Sequence, residues 1–465
     1  MEIDNIFHLQ KRYRWELQKL HHEHRKSALK RLHDLILEKQ QDILSALHQD
    51  FQKTNLESLQ TEIIPCLHEL RFAIHNLHSW VQPKKVKTPW IFWGASSRIH
   101  YEPKGTVLII SPWNYPFYLA MAPLIAAIAA GNTVILKPSE LTTATSQILQ
   151  EILQQIFPNE WVAVFQGDAR LAEKLTHMPF DHIFFTGSTQ VGFHVAAAAA
   201  KNLVPTTLEL GGKSPCIVDQ DVDLDKALSK IIWGKFTNAG QTCVAPDYLM
   251  VDEKIYPLLV EKMKTQLHVV FSAPEFIKEH YTGIISDRHL QRLDALLIEL
   301  QKLGTSVFQF PSNSPGLSRK FLPTLVLQPP WTSALMKEEI FGPLLPILSY
   351  KDPAELFDLL HQHEKPLAMY IFTKNQKFAE KILRQTSCGG ACINDVLIHL
   401  ANPHLPFGGI GQSGMGNYHG HHGFLTFSHS KAVFQQAPWD ALRFVLYPPA
   451  AKLKLKILHW MARLF

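Results

Sequence analysis

Apolar positions recur with two different patterns along the chain and divide it into two regions. From about residue 3 to residue 80 they recur at helical spacing among many charges, which predicts an N-terminal helical layer. From Arg98 onward the pattern becomes strand, turn and helix, with a strand over 105–110, a helix over 119–130 and a strand over 133–136. A further helix follows from about residue 143. This alternation predicts βαβ units and a parallel sheet.

The C-terminal segment 450–465 has the pattern of a short amphipathic helix. Its apolar and basic side chains fall on opposite faces of the helix. The apolar face carries Leu453, Ile457, Trp460, Met461 and Leu464, and the basic face carries Lys452, Lys456, His459 and Arg463. A membrane-spanning helix needs about 20 apolar residues, so this segment is too short and too basic to cross. Two interpretations stay open: peripheral contact with an anionic membrane surface, or a helix that caps the substrate entrance or packs on a partner subunit.

Length and composition indicate a globular protein of two domains. The chain has 465 residues, of which 46% are hydrophobic, enough for more than one core. The net charge of +5 is spread along the chain, and no nucleic-acid-binding motif is present, so we expect no nucleic acid partner. Five scattered cysteines and a charged N-terminus without a signal peptide indicate a cytoplasmic protein. Cys388 and Cys392 have no second pair at ligand spacing, so we expect no metal site.

A glycine turn over residues 182–192 suggests a dinucleotide site. An apolar strand ends in Thr186-Gly-Ser-Thr-Gln-Val-Gly192 and leads into an alanine-rich helix predicted over 195–201. Helix N-termini bind phosphate, but Thr189 replaces the middle glycine of the usual motif. The usual spacing of about 20 residues from that motif would assign Glu209 to the adenosine ribose.

Three polar residues are candidates for catalysis. Cys243 lies in a turn of small residues with neither metal-ligand nor disulfide spacing around it, which favours a nucleophilic thiol, although a lone cysteine is more often a packed core residue. Glu209 stands between Leu208 and Leu210, which would desolvate it and raise its pKa into the range of a general base. Asn114 follows an apolar strand at a proline-rich turn, where its amide is suited to donate to an oxyanion.

Long motifs around these residues resemble the aldehyde dehydrogenases, from about residue 80 to residue 435. Within that family the chain is similar to class 3, on the strength of the segments 240–248, 405–420 and 424–429. The resemblance implies an α/β fold with a Rossmann-type cofactor domain, an α/β catalytic domain and a small β element for oligomerisation. It implies a cofactor domain over 1–81 and 104–210, a catalytic domain over 211–410, and an oligomerisation element over 82–103 and 428–437.

The resemblance also implies a role for each candidate residue. Cys243 is the nucleophile, Glu209 the general base and Asn114 the oxyanion donor. The implied cofactor contacts are Lys137 and Glu140 at the adenosine ribose, Ser188 at the pyrophosphate, Glu339 at the nicotinamide ribose and Phe341 beside the nicotinamide, together with Trp113, Thr186, Gly187 and Gly192. Tyr115 and His419 are expected at the substrate pocket. With Lys137 and Glu140 at the adenosine ribose, Glu209 is no longer assigned to that ribose.

The expected reaction is the oxidation of an apolar aldehyde, medium- or long-chain aliphatic or aromatic, to a carboxylic acid. It passes through a hemithioacetal and a thioester on Cys243. Glu140 would repel a 2′-phosphate, so NAD is the expected cofactor with NADP tolerated. A homodimer is the class 3 expectation. A coenzyme A-acylating dehydrogenase, a cofactor-free cysteine hydrolase and a non-catalytic protein are the alternatives, and Glu209 argues against the first.

Overall fold

The computed structural model describes residues 2–273, 277, 279–310, 319–439, 447–448 and 452–463. The longer α-helices in that part of the chain span Ile3–Lys19, His22–Glu38, Gln40–Phe51, Ile64–Trp80, Tyr118–Ala130, Thr143–Gln154, Ala169–Thr176, Thr189–Ala200, Leu224–Phe236, Tyr256–Phe271, Asp287–Lys302, Pro353–His361, Gln376–Gln385, Gly420–Thr426 and Lys452–Met461. Two short helices span Asn55–Ser58 and Ala334–Lys337.

The strands, numbered in chain order, form three sheets. They are β1 Lys84–Val86, β2 Ser96–Pro103, β3 Thr106–Ile110, β4 Thr133–Lys137, β5 Val162–Val164, β6 His182–Thr186, β7 Thr206–Glu209, β8 Pro215–Val218, β9 Tyr248–Asp252, β10 Ser306–Gln309, β11 Thr324–Leu327, β12 Leu344–Tyr350, β13 Ala368–Phe372, β14 Gly390–Ile393, β15 Gly414–Met415 and β16 Ser428–Gln435.

The first sheet has the strand order of a dinucleotide-binding fold. Its parallel strands run β7-β6-β3-β4-β5, and β15 pairs antiparallel with β7 at one edge. Every residue of β3, β4 and β6 is buried, because helices cover both faces of a parallel sheet. The chain reverses its direction of winding between β3 and β6, so the carboxyl ends of these two strands open onto a crevice.

The N-terminal helices pack against this sheet and give it a second layer. Leu29, Leu32 and Ile36 are fully buried in the core that they share with the helix Tyr118–Ala130. Nearly every side chain of that central helix is buried, including Pro123, which explains why its sequence shows no polar face.

The second sheet contains seven strands in the order β10-β11-β12-β9-β8-β13-β14. All neighbouring pairs are parallel except β10 with β11. This sheet begins at Pro215 and ends at Ile393, inside the 211–410 range expected for a catalytic domain. That domain division remains a prediction.

The third sheet is antiparallel and joins distant parts of the chain. β2 pairs with β1 on one side and with β16 on the other, where Ser96 faces Gln435. Trp90 and Trp93, between β1 and β2, are 64% and 76% exposed. These strands fall within the ranges expected for an oligomerisation element, whose role in assembly remains a prediction.

Two expectations about helices change in the structure. The helix after the glycine turn begins at Thr189, six residues before its predicted start, because the Ser188 hydroxyl accepts a hydrogen bond from the Val191 N–H and caps it. The C-terminal helix Lys452–Met461 has no buried residue, so it does not pack closely on the described part of its own chain. Residues 450, 451, 464 and 465 of that segment, including Leu464, lie outside the described residues. Over the described chain, the helices are all too short or too polar to span a membrane.

Candidate active site

A cleft of about 880 Å³ lies where loops of the first and second sheets meet. Nine of the residues expected at the site line it, namely Trp113, Asn114, Thr186, Gly187, Ser188, Glu209, Cys243, Glu339 and Phe341. Asn114, Thr186 and Glu209 come from the carboxyl ends of β3, β6 and β7, which the parallel sheet brings to one edge.

The loop that carries Cys243 has a strained backbone. Asn238, Ala239 and Gly240 follow one another in the left-handed region, with φ values of 54°, 52° and 73°. A Cβ on Gly240 would lie 2.4 Å from the carbonyl oxygen of Gly342, so only glycine fits there. Left-handed backbone at non-glycine residues persists only where the surroundings hold it, and such strain is common at functional sites.

Amide side chains hold this loop in place. Asn238 Nδ2 donates to the carbonyl oxygen of Asn114 at 2.9 Å, and Asn114 Nδ2 donates to the carbonyl oxygen of Gln241 at 3.1 Å. Gln241 Nε2 in turn donates to the Gly283 carbonyl at 3.0 Å, and its Oε1 accepts from the Ile285 N–H at 3.0 Å. The Asn114 turn and the cysteine loop are therefore tied directly to each other.

The Cys243 thiol is half-buried, and its environment keeps it protonated. Burial is the main cause that raises its pKa above the ordinary value, and the carboxylates of Glu339 and Glu209 raise it further. The backbone N–H groups of Cys243 and Val244 point to the sulfur and lower the pKa by a smaller amount. The thiol must therefore lose its proton as it attacks.

Glu209 is 3% exposed, and neither of its carboxylate oxygens has a hydrogen-bond partner in the described structure. Burial raises its pKa well above the ordinary value, as expected from sequence. Side chains alternate along a strand, so Leu208 points away from Glu209 into a core on the other face of the sheet. Leu210, the other flanking residue, lines the cleft together with Glu209.

Glu339 enters the cleft from the second sheet. Its carboxylate lies across Gly211, where a Cβ would be 1.8 Å from Oε2, and it accepts a hydrogen bond from the Gly212 N–H. Burial, with a smaller contribution from Asp247, raises the pKa of Glu339 to about 8. Next to it Phe341 has a φ of 45° and meets the ring of Trp113 edge-to-face at 5.2 Å, which closes one wall of the cleft.

The helix Thr189–Ala200 begins at the cleft. Ser188, Thr189 and Gln190 line it at the N-terminus of this helix, where backbone N–H groups favour an anion. The Gly187 N–H donates to the Glu209 carbonyl at 3.0 Å and thereby joins the turn to β7. Gly192 faces the sheet instead of the cleft, since a Cβ there would lie 2.6 Å from Leu210 Cδ2.

Four other expected residues lie outside the lining of the cleft. Lys137, at the carboxyl end of β4, pairs with Glu140 at 2.6 Å, and the Glu140 side chain is 45% exposed. Tyr115 is buried, with its hydroxyl hydrogen-bonded to Thr242 Oγ1 at 2.5 Å. His419 is 3% exposed and stacks on Phe407, and burial lowers its pKa to about 3.

Several residues that line the cleft belong to none of the motifs recognised in the sequence. The most informative are His289, Arg292, Trp331 and His363. Arg292 donates through Nη2 to the carbonyl of Ile340, beside Phe341, and the His289 ring meets Trp113 edge-to-face at 5.0 Å. They come from the helix Asp287–Lys302 and from loops, where spacing gives no signal of a shared site. No cluster of three His, Cys, Asp or Glu side chains in the described chain could hold a metal ion.

The chain matches the model of the aldehyde dehydrogenase family over residues 2–433, which includes the N-terminal helical layer as well as the region from residue 80. It is 44% identical over 408 residues to a 4,4′-diaponeurosporen-aldehyde dehydrogenase of Staphylococcus aureus, covering 88% of each chain. It is 41% identical over 434 residues to an aldehyde dehydrogenase family 3 member A2 of Macaca fascicularis, covering 93% of this chain and 88% of the relative. The solved substrate-bound state of Staphylococcus aureus AldH superposes with a TM-score of 0.94 at 40% identity and 99% coverage of both chains.

Proposed function

The chain belongs to the aldehyde dehydrogenase family, resembling its family 3 members, and oxidises aldehydes with NAD(P)+; we propose that Cys243, Glu209 and Asn114 carry out the chemistry. One observation supports this assignment above the others. A half-buried thiol, a buried carboxylate without a partner and a buried amide line the same cleft, although more than 120 residues separate the first from the last. Such a set provides a nucleophile, a base and an oxyanion donor.

Cys243 adds through Sγ to the aldehyde carbon and forms a hemithioacetal. The carbonyl oxygen becomes an oxyanion, which needs donors. The side-chain amide nitrogen of Asn114 carries two hydrogens. One is donated to the carbonyl oxygen of Gln241, so the second is available to the oxyanion. The backbone N–H of Cys243 is the other donor. Losing one such donor costs about 3–4 kcal/mol of transition-state stabilisation.

Glu209 acts as the base. Its two oxygens have no partner in the described structure, so they are free to accept a proton from the water that attacks the thioester. Water activated in this way hydrolyses the Cys243 thioester and releases the carboxylic acid. A raised pKa suits the task, because a base works best when its pKa lies near the working pH.

The cleft fits a nicotinamide dinucleotide. When bound, NAD(P)+ accepts the hydride that the aldehyde loses. We assign the pyrophosphate to the N-terminus of the helix Thr189–Ala200 at Ser188, and the nicotinamide ribose to Glu339. Lys137 and Glu140 would hold the adenosine ribose, and the exposed Glu140 carboxylate would repel a 2′-phosphate. We therefore propose NAD as the preferred cofactor, with NADP tolerated.

The substrate that we propose is an apolar aldehyde, medium- or long-chain aliphatic or aromatic. The Staphylococcus aureus relative is named for one particular aldehyde, 4,4′-diaponeurosporen-aldehyde. Leu119 and Trp331 add apolar surface to the cleft of this chain.

We further propose a cytoplasmic homodimer that uses the sheet of β1, β2 and β16, and peripheral contact of the C-terminal helix with anionic membranes. The exposed Trp90 and Trp93 support the first proposal. The second is supported by a basic helix whose apolar residues, such as Leu453 and Trp460, are 69% and 60% exposed. Light scattering of the full chain, and vesicle sedimentation with and without residues 450–465, test the two proposals; a monomer, or unchanged sedimentation, contradicts them.

The central test is NADH formation from hexanal, hexadecanal and benzaldehyde, with and without coenzyme A. We expect NADH without coenzyme A from the wild type and none from Cys243→Ala, and the ranking of the three aldehydes assigns the substrate class. NADH that appears only with coenzyme A would favour the acylating reaction. Activity in Cys243→Ala would exclude the thiol as nucleophile.

A further inference from the structure

A fully buried ion pair lies in the N-terminal helical layer, beneath the active-site loops. Lys53 and Glu62 have no exposed side-chain surface, and Lys53 Nζ lies 2.7 Å from Glu62 Oε1. Two buried charges are costly compared with apolar side chains of similar volume, unless further polar contacts compensate them. Glu62 also lies in a π-helical turn, Leu59–Ile63, a feature that is frequent at functional sites. The contacts of the pair therefore indicate what it does.

The second oxygen of Glu62 fixes the turn that carries Asn114. Glu62 Oε2 accepts hydrogen bonds from the backbone N–H of Phe117 at 3.0 Å and of Tyr118 at 2.9 Å. These two groups stand at the start of the helix Tyr118–Ala130, where a carboxylate is favourable. Asn114 is three residues before Phe117, so the carboxylate determines where its turn lies.

Lys53 contacts the same turn and connects it to the thiol. Its ammonium lies 4.1 Å from the centroid of the Tyr115 ring, a cation–π contact in a site without solvent. The Tyr115 hydroxyl is hydrogen-bonded to Thr242 Oγ1, and Thr242 directly precedes Cys243. A continuous chain of contacts thus runs from the ion pair to the nucleophile loop.

We propose that Lys53 and Glu62 are positioning residues that hold the Asn114 amide and the Cys243 thiol at the separation the reaction needs. Neither residue lines the cleft, so they act through Tyr115, Phe117 and Tyr118. The inference rests on the proposed roles of Asn114 and Cys243. A displacement of about 1 Å from productive geometry can lower a rate by about 100-fold, so a remote pair is able to control turnover.

The test compares Lys53→Met, Tyr115→Phe and the double variant. In single turnovers with saturating hexanal, we expect each single variant to reduce the rate of hydride transfer by about tenfold or more, with little change in the KM for NAD. Because Tyr115 transmits part of the effect of Lys53, the combined loss of rate in the double variant should be smaller than the product of the two single losses. Multiplied effects of the two substitutions would overturn the proposal.

Asp181→Asn is the matched control. Asp181 accepts from Lys11, Arg14 and the Thr106 N–H at the amino end of β3, the edge of the sheet opposite the cleft. Its loss should lower the thermal midpoint and leave the single-turnover rate unchanged. A Lys53→Met variant that behaves in the same way would show a structural role only and overturn the inference.

The rate of Cys243 alkylation by iodoacetamide separates this inference from the proposed function, because alkylation requires no aldehyde turnover. An inactive wild type would refute the proposed function, whereas a changed alkylation rate in Tyr115→Phe would still support positioning. If Lys53→Met does not fold, Tyr115→Phe decides alone, since it removes a single hydroxyl. Wild-type rates of alkylation and hydride transfer in that variant would refute the inference.

Discussion

Substituting glutamine for Glu209 separates the two halves of the proposed reaction. The substitution keeps the shape of the side chain and removes its ability to accept a proton. The backbone contacts of residue 209 do not depend on the side chain: its carbonyl accepts from the Gly187 N–H at 3.0 Å, and it pairs with Gly414 in the sheet. We therefore expect Glu209→Gln to fold and to form the hemithioacetal and thioester on Cys243.

The size of the effect follows from the role and the surroundings of the carboxylate. A general base contributes about 10²–10⁴-fold, which corresponds to about 3–5 kcal/mol in the barrier to hydrolysis. Neither Glu209 oxygen has a hydrogen-bond partner in the described structure, so the substitution breaks no hydrogen bond and should change the stability of the fold little. A change in stability affects hydride transfer and turnover alike, whereas the loss of the base slows only the hydrolysis step.

Rapid mixing of the enzyme with NAD and hexanal measures both. The expected result for Glu209→Gln is a burst of about one NADH per active site, followed by a steady rate reduced by about 10²–10⁴-fold. Glu380→Gln, on the surface helix Gln376–Gln385, is the control that should retain wild-type kinetics. Rapid multiple turnovers by Glu209→Gln would refute the assignment of the base, and a missing burst would show that Glu209 is already required to activate the thiol.

Three further predictions concern the same cleft. Asn114→Ala should lower kcat/KM by about 10²–10³-fold, because an oxyanion donor is lost, and unchanged kcat/KM would exclude that role. Gly240→Ala should lower the thermal midpoint more than Gly304→Ala does; both glycines have positive φ, but a Cβ meets a carbonyl only at Gly240, so equal losses would contradict the clash. Burial raises the pKa of Glu339 to about 8, so the folded state keeps a proton that the unfolded chain releases, and stability falls as pH rises from the ordinary carboxyl range to about 8. Urea unfolding measures this as the free energy of unfolding at each pH. Over that window Glu339→Gln should lose less stability than the wild type, by at most about 1.4 kcal/mol per pH unit, and an identical pH dependence of the two proteins would refute this.

Local sequence patterns were enough to predict the helical layer and the first βαβ units. The strand Thr106–Ile110 and the helix Tyr118–Ala130 lie within one or two residues of their predicted bounds, because apolar runs and their spacing are local properties. The motif around Cys243 and the family that it indicates could also be read directly, and the match over residues 2–433 confirms that family. The start of the helix at Thr189 was missed, because the cap that begins it depends on the hydroxyl orientation of Ser188.

Tertiary structure decided which residues share the cleft and what surrounds each one. Sequence alone suggested that leucines on either side of Glu209 desolvate it, whereas in the structure Leu208 faces the opposite side of the sheet and Leu210 lines the cleft. Tyr115 and His419 were expected at the pocket, and in the structure they are buried outside its lining. Lys53 and Glu62, which carry no motif, are 9 positions apart in sequence and contact the Asn114 turn more than 50 positions further on. Periodicity specifies only the face of an element on which a residue lies; the burial, charge and hydrogen-bond partners of a side chain depend on segments distant in sequence, and these come together only in the folded chain.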